Sequence, residues 1–155
     1  MGLQRWFYAG GRPNLMARLL DRVTAALSAR GVGPEYLVAL EVPGRRSGRI
    51  VSLPLVVATV EGKRYLVSML GEEANWVQDV RAAGGEVALR HGRREEVHLQ
   101  EVVAPDLRAP VLKAYLQRAT NASAHMPIDK DAPLAEFERL ALRFPVFRIV
   151  PRSNA

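Results

Sequence analysis

Seven consecutive residues, Pro43-Gly44-Arg45-Arg46-Ser47-Gly48-Arg49, set three guanidinium groups and a hydroxyl around two glycines. Arginine keeps its charge at physiological pH, and its planar fork meets phosphate oxygens in pairs. Glycine admits positive φ, so Gly44 and Gly48 allow a turn that aims successive backbone N–H groups at one point, the geometry of an anion nest. Ser47 adds a hydroxyl donor. No acid occurs from Val42 through Val60, so the three arginines repel one another with no structural return unless an anion visits. The chemistry indicated is phosphate binding. A solvated basic hairpin would carry the same residues, and the motif alone leaves the two readings level. The turn opens directly into the apolar run Ile50–Val60, which would give a ligand a rigid scaffold.

A second cluster runs from Leu66-Val67-Ser68-Met69-Leu70-Gly71 into Glu72-Glu73-Ala74-Asn75-Trp76. A strand ending in a polar residue and a glycine, then a short helix, leaves free N–H groups at the helix start. Trp76 could cover a flat ring there, although an aromatic at helical spacing reads first as core. His91, His98 and His125 lack metal-ligand spacing and read as turn or surface histidines, so no metal site is expected. No Gly-x-Gly-x-x-Gly or Walker-type loop occurs, which argues against a Rossmann site and a P-loop. Ser47 and Ser68 lack the surroundings of a nucleophile elbow, and no side-chain pair stands out as catalytic. Arg90, Arg93 and Arg94, balanced by Glu95 and Glu96, read as a solvated face, and Asp129-Lys130-Asp131 as a mixed-charge loop.

The elements that must position these residues follow from periodicity. Pro13–Arg30 has Leu15, Met16, Leu19, Leu20, Val23, Ala26 and Leu27 on one face, a helical pattern that Gly31 and Gly33 stop. Tyr36–Val42 and Ile50–Val60 read as strands, the second apolar on nearly every residue and so expected to be buried on both faces. Pro54 within it argues for a bulge or an edge. Glu61-Gly62-Lys63 turns into a strand Arg64–Leu70, and Asn75–Ala83 is a short helix ended by Gly84-Gly85. Glu86–His91 and Arg94–Val103 form a hairpin about Gly92. Asp106–Ala119 and Pro133–Leu142 are helical, with Asp131 a candidate cap for the latter, and Val146–Val150 is a closing strand. Strands joined by hairpins, with helices inserted rather than alternating, predict an α+β fold: a mostly antiparallel sheet curled into a barrel with helices outside.

The chain has 155 residues, 48% of them apolar, with 12 glycines and 10 prolines. That suits a single domain, residues 1–155, in which 1–11 reads as an arm; Trp6, Phe7 and Tyr8, beside Arg5 and Arg12, read as packing on the core in preference to a membrane surface. There is no cysteine, hence no disulfide and no thiolate metal site. No apolar run approaches the roughly 20 residues of a membrane span, and Met1–Tyr8 does not read as a secretory signal, so the cytoplasm is the expected compartment. Net charge is +6, which favours an anionic partner without naming it. Nucleic acid ranks last among such partners, because basic residues are scattered and aromatics make up only 6% of the chain.

Taken together, Gly44-Arg45-Arg46-Ser47-Gly48-Arg49, Pro54-Leu55, Ser68, Gly71, Trp76 and Asp79 resemble the signature of the deazaflavin-dependent nitroreductase family, split-barrel proteins that use reduced coenzyme F-420. The resemblance spans about Leu37 to Val103, with a looser fit at the N-terminal helix and at Phe144–Val150. It implies an FMN-binding-like split barrel. It would place the coenzyme's phosphate and acidic tail on Arg45, Arg46 and Arg49, with Gly44, Ser47 and Gly48 shaping the turn. The deazaflavin ring would lie along Pro54, Leu55 and Val56, with Ser68, Met69, Leu70, Gly71, Asn75, Trp76 and Asp79 nearby. It implies hydride transfer to a quinone, a nitroaromatic or a similar flat electrophile. The cofactor would then be coenzyme F-420, with FMN less favoured, and the protein would act as a monomer or homodimer. Two departures stand out. Val56 replaces the tyrosine that relatives place after Pro-Leu, and Met69 follows Ser68 where they often carry a lysine or another polar residue. The alternative these suggest is a non-catalytic protein that binds a fatty acyl chain or a flavin-type cofactor on the same scaffold. Glu72 and Glu73 would oppose an anionic tail if they point toward it.

Overall fold

Short turns join most of the strands, and that decides the topology. In the computed structural model, which describes residues 33–119 and 126–152 together with 25, 27 and 29–31, six strands form an antiparallel barrel. They are β1 (Leu37–Pro43), β2 (Ile50–Val60), β3 (Lys63–Val67), β4 (Glu86–His91), β5 (Arg93–Val102) and β6 (Val146–Pro151). Their order around the barrel is β1-β2-β3-β6-β5-β4, closed by β4 on β1. Helix α1 (Asn75–Ala82) follows β3, α2 (Pro105–Arg118) follows β5, and α3 (Leu134–Leu140) with a 3-10 turn at Ala141–Arg143 precedes β6. The expected α+β architecture is the one that forms. Of the helix expected at Pro13–Arg30, residues 25, 27 and 29 are helical and Arg30 is in a turn; its other residues, the N-terminal arm and His125 lie outside the described residues.

The β2–β3 hairpin turns on Glu61 (φ 51) and Gly62 (φ 78), and positive φ at both positions gives the turn twist that matches paired strands. The β4–β5 hairpin turns on Gly92, whose N–H donates to Ala29 O at 2.7 Å and so fastens the end of the N-terminal helix to the barrel.

Two apolar clusters result. Alternate residues of the barrel strands, among them Val38, Leu40, Val42, Leu66, Leu89, Val97 and Phe147, fill the interior, and α1 inserts Trp76, Val77 and Val80 among them. The second cluster lies outside the β2, β3 and β6 wall, where Leu112, Tyr115 and Leu116 of α2 and Phe137 of α3 cover Ala58, Val67 and Val146. Burial pushes the Tyr115 hydroxyl up to about 12.

Strand β2 departs from the expectation of burial on both faces. Val57 and Ala58 are buried, but Ile50 is 61% and Val51 40% exposed. β3 pairs with β2 only from Val57 onward, so residues 50–56 are paired with β1 alone. The register also explains Pro54. Gly44 N–H donates to Arg49 O and Val57 N–H to Tyr36 O, so the odd-numbered residues between them aim their backbone groups at β1. Pro54, opposite Ala39, aims away from β1 toward the open edge, where its missing N–H breaks no ladder bond. Near the far end of the strand, where β1 has run out, Arg118 donates to Val57 O at 2.6 Å and lies 4.6 Å over the Tyr36 ring.

A chain of charges ties the helices to the barrel. Arg108, 3% exposed, donates to Val102 O (2.6 Å), Ala141 O (2.9 Å) and Phe144 O (3.4 Å). Glu101 accepts from Arg108 at 3.4 Å and from Arg81 of α1 at 2.7 Å, and Arg81 donates to Glu72 at 2.6 Å. That hydrogen bond holds the Glu72 carboxyl below its usual range. Asp131 does not cap α3; Pro133 occupies the cap position, and Asp129 instead accepts the Asp131 N–H at 2.7 Å. Arg90 and Arg94 both pair with Glu41 of β1 and Arg94 also with Glu96, while Glu95 pairs with Arg64. The solvated face is therefore balanced across four strands rather than within one hairpin.

Two outcomes follow from the charge chain. Arg108→Met leaves three carbonyls and Glu101 without their buried donor, and urea denaturation should show a loss of about 3 kcal/mol or more. Glu72 contributes to stability above the unfolded carboxylate pKa of about 4.3, and that contribution is lost as pH falls through its lower folded value. A carboxyl NMR titration should place Glu72 below the ordinary range in the native protein and return it toward that range in Arg81→Met.

Candidate functional site

The turn between β1 and β2 closes on itself. Gly44 N–H donates to Arg49 O (2.7 Å), Gly48 N–H to Gly44 O (2.8 Å) and Arg49 N–H to the Ser47 hydroxyl oxygen (3.1 Å). Gly48 holds φ 74, which a side chain would strain. At Gly44 a Cβ would meet Ser47 Oγ at 3.2 Å and Arg49 O at 3.3 Å, so that glycine is required by close packing rather than by its φ. These bonds narrow the expected anion nest. The N–H groups of Gly44, Arg45, Gly48 and Arg49 are already used. The successive N–H groups of Arg46 and Ser47 take no part in these bonds, so an anion at the turn would meet them together with the side chains.

The three arginines are not equivalent. Arg45 is turned onto α1: its backbone N–H and its Nη1 both donate to Asp79 Oδ1, at 3.0 and 2.8 Å. Nη1 also reaches Asn75 O (3.4 Å), and Nη2 reaches Asn75 Oδ1 (3.5 Å). The Asp79 side chain is 7% exposed against 27% for Arg45, so this is a half-buried ion pair with a backbone bond added. The sequence gap of 34 residues hid the counter-ion. The reading of three uncompensated charges is corrected to two: among the described residues Arg46 and Arg49 have no carboxylate partner, and both are exposed. Ser47 accepts the Arg49 N–H and keeps its own proton to donate.

The second cluster is held by the same helix. Ser68, 1% exposed, donates its hydroxyl proton to Gly71 O at 2.7 Å, and Gly71 N–H returns to Ser68 O at 3.2 Å. This clasp occupies the Ser68 hydroxyl. Gly71 stands at φ 86, where a Cβ would lie 3.2 Å from Arg143 O. Gln78 of α1 donates to Glu72 O (2.7 Å) and Arg81 of α1 to the Glu72 carboxylate. Glu72 is therefore neutralised locally, while Glu73 is exposed. Helix α1 thus grips both candidate segments, the turn through Asn75 and Asp79 and the loop through Gln78 and Arg81.

The remaining expected residues divide. Trp76 is 8% exposed and packs against Phe147, with ring centroids 5.6 Å apart, inside the barrel cluster. Leu55 faces that interior cluster, whereas Val56 and Met69 pack against the cluster beneath α2. Alternation puts Pro54 on the Val56 face, so Pro54–Val56 does not form one continuous wall. Leu70 is 41% exposed. Ile50 and Val51, which follow the turn in sequence, are exposed, and by the same alternation they stand on opposite faces of β2; the sequence hid this by making the whole strand look buried.

Among the described residues no cluster of His, Cys, Asp and Glu could hold a metal ion, and no helix is long and apolar enough to cross a membrane. His91 Nδ1 lies 2.9 Å from Leu37 O, and His98 pairs with Glu86 at 3.3 Å.

No family model matches the chain, and no curated protein matches it. Solved structures do. A conserved hypothetical protein from Mycobacterium tuberculosis superimposes with a TM-score of 0.54 at 14% identity, over 76% of this chain and 73% of that one. A protein from Bacteroides thetaiotaomicron named for 5-nitroimidazole antibiotic resistance gives 0.51 at 10% identity, over 82% and 75%. One from Listeria innocua named for pyridoxamine 5′-phosphate oxidase gives 0.50 at 14% identity, over 76% and 85%. The likeness is one of fold: this chain is a split barrel of the FMN-binding-like kind.

Proposed function

We propose that the protein is a flavin-type oxidoreductase that binds its cofactor, coenzyme F-420 in preference to FMN, by a phosphate held on the β1–β2 turn. The observation that carries the reading is the pair of exposed guanidinium groups, Arg46 and Arg49, left without carboxylates on a turn whose shape is fixed from behind by Asp79. The donor set fits the group: two forks and the Ser47 hydroxyl suit phosphate oxygens, and the nearest acid, Asp79, is already occupied. Ile50 and Val51 are exposed just after Arg49, one on each face of β2, so on either side of the strand an apolar side chain is open to the ring system such a phosphate would carry. Two structures that share the fold are named for an oxidase and for resistance to a nitro compound, in keeping with redox chemistry.

When bound, such a cofactor supplies the hydride that reduces a flat electrophile such as a quinone or nitroaromatic. This chain would bind, orient and exclude water. Arg46 and Arg49 anchor the phosphate, Ser47 donates a hydrogen bond, and α1 fixes the turn against the loop at Ser68–Gly71. The side chain at 56 is a valine, so no proton is donated from that position.

The test is a fluorescence titration of the purified protein with coenzyme F-420 and with FMN. F-420 should bind the more tightly, and Arg46→Ala or Arg49→Ala should weaken it by roughly tenfold or more, the worth of a charge-assisted hydrogen bond. No response to either at roughly tens of micromolar, with Arg46→Ala indistinguishable from wild type, would sink the proposal. A co-purified fatty acid and no turnover of any quinone would favour a lipid-holding role for the scaffold.

A further inference from the structure

We infer that Asp79 is a positioning residue for the phosphate site, acting through Arg45, and that of the three arginines of the turn only Arg46 and Arg49 contact the anion. The inference rests on the phosphate-binding reading above and deepens it. A single oxygen, Asp79 Oδ1, receives both the backbone N–H and the guanidinium of Arg45, at 3.0 and 2.8 Å. Asn75, one turn earlier on α1, takes the other arm of the fork. The Arg45 side chain is thus folded back on the helix, its charge balanced, while its two neighbours of like charge stay exposed without acids.

The geometry has a second effect. Arg45 opens the turn, one residue after Gly44, and its backbone is fixed by the buried Asp79 carboxylate on a helix whose Trp76, Val77 and Val80 sit in the barrel core. The direction in which Arg46 and Arg49 project is therefore set by the core through Asp79. A helix carrying an apolar residue at 79 would leave the turn on its own internal bonds, with three repelling guanidinium groups.

The experiment is a double-mutant cycle read by titration with oxidised coenzyme F-420 over a range of salt concentrations, together with amide exchange across residues 44–49. Arg45→Met and Asp79→Asn should each weaken binding by about three- to tenfold, and the double variant no more than the worse single one, because both break one interaction. Both should keep the wild-type salt dependence and speed exchange of the Arg45 amide. Arg46→Ala and Arg49→Ala should flatten the salt dependence, because they remove a charge that meets the ligand. If Arg45→Met flattens it as Arg46→Ala does, Arg45 contacts the anion and the inference is overturned. Unchanged affinity in Asp79→Asn, with Arg46→Ala still weakened, overturns it too. Should Asp79→Asn not fold, the salt dependence of Arg45→Met decides alone. Wild-type protein that does not bind the coenzyme overturns the phosphate reading itself, an outcome separable from the others.

Discussion

A carboxylate buried at the mouth of the barrel governs the candidate site. A buried carboxylate without a partner costs several kcal/mol, and Arg45 supplies the partner of Asp79 only by drawing the β1–β2 turn onto α1. The pair therefore converts the packing of an eight-residue helix into the shape of a turn 34 residues away in sequence. The hydrophobic anchors of α1 make this possible. With Trp76 packed at a tilt against Phe147 and Val77 fully buried, the helix has little freedom to follow the turn, so the turn follows the helix.

The same helix organises the opposite side. Arg81 bridges Glu72 and Glu101, and Glu101 passes the connection to Arg108, whose fork satisfies the carbonyls at the end of β5 and around the 3-10 turn. Two networks of opposite purpose thus meet on α1. One withdraws a positive charge from the basic turn, and the other neutralises a negative charge at the loop facing it. What remains at the surface is a small positive field from Arg46 and Arg49 with little opposing charge nearby.

Most of the barrel was legible in the sequence because hairpins and two-residue periodicity are local signals. Glu61-Gly62 at the β2–β3 turn and Gly84-Gly85 after α1 mark boundaries without reference to the rest of the chain. The ends of β4 were readable to the residue. What escaped was long-range. The uniformly apolar composition of β2 hid that β3 does not pair with it before Val57, where Ile50 and Val51 are exposed. The pairing of Arg45 with Asp79 was equally invisible, although both residues stood out singly, because nothing local announces a salt bridge between a turn and a helix. Equally hidden were the bonds that use four of the turn's N–H groups and the one by which the Ser68 hydroxyl closes its own loop.

Pro54 has a meaning for the life of the chain as well as for its shape. An eleven-residue strand rich in Val, Leu and Ile is the sort of segment that stacks into cross-β fibrils when one side lies bare. Here the incoming strand of another molecule would find a gap midway along the row of donors, where the pyrrolidine ring stands in place of an N–H. Residues 50–56 can then remain open for a ligand without becoming a template for self-assembly.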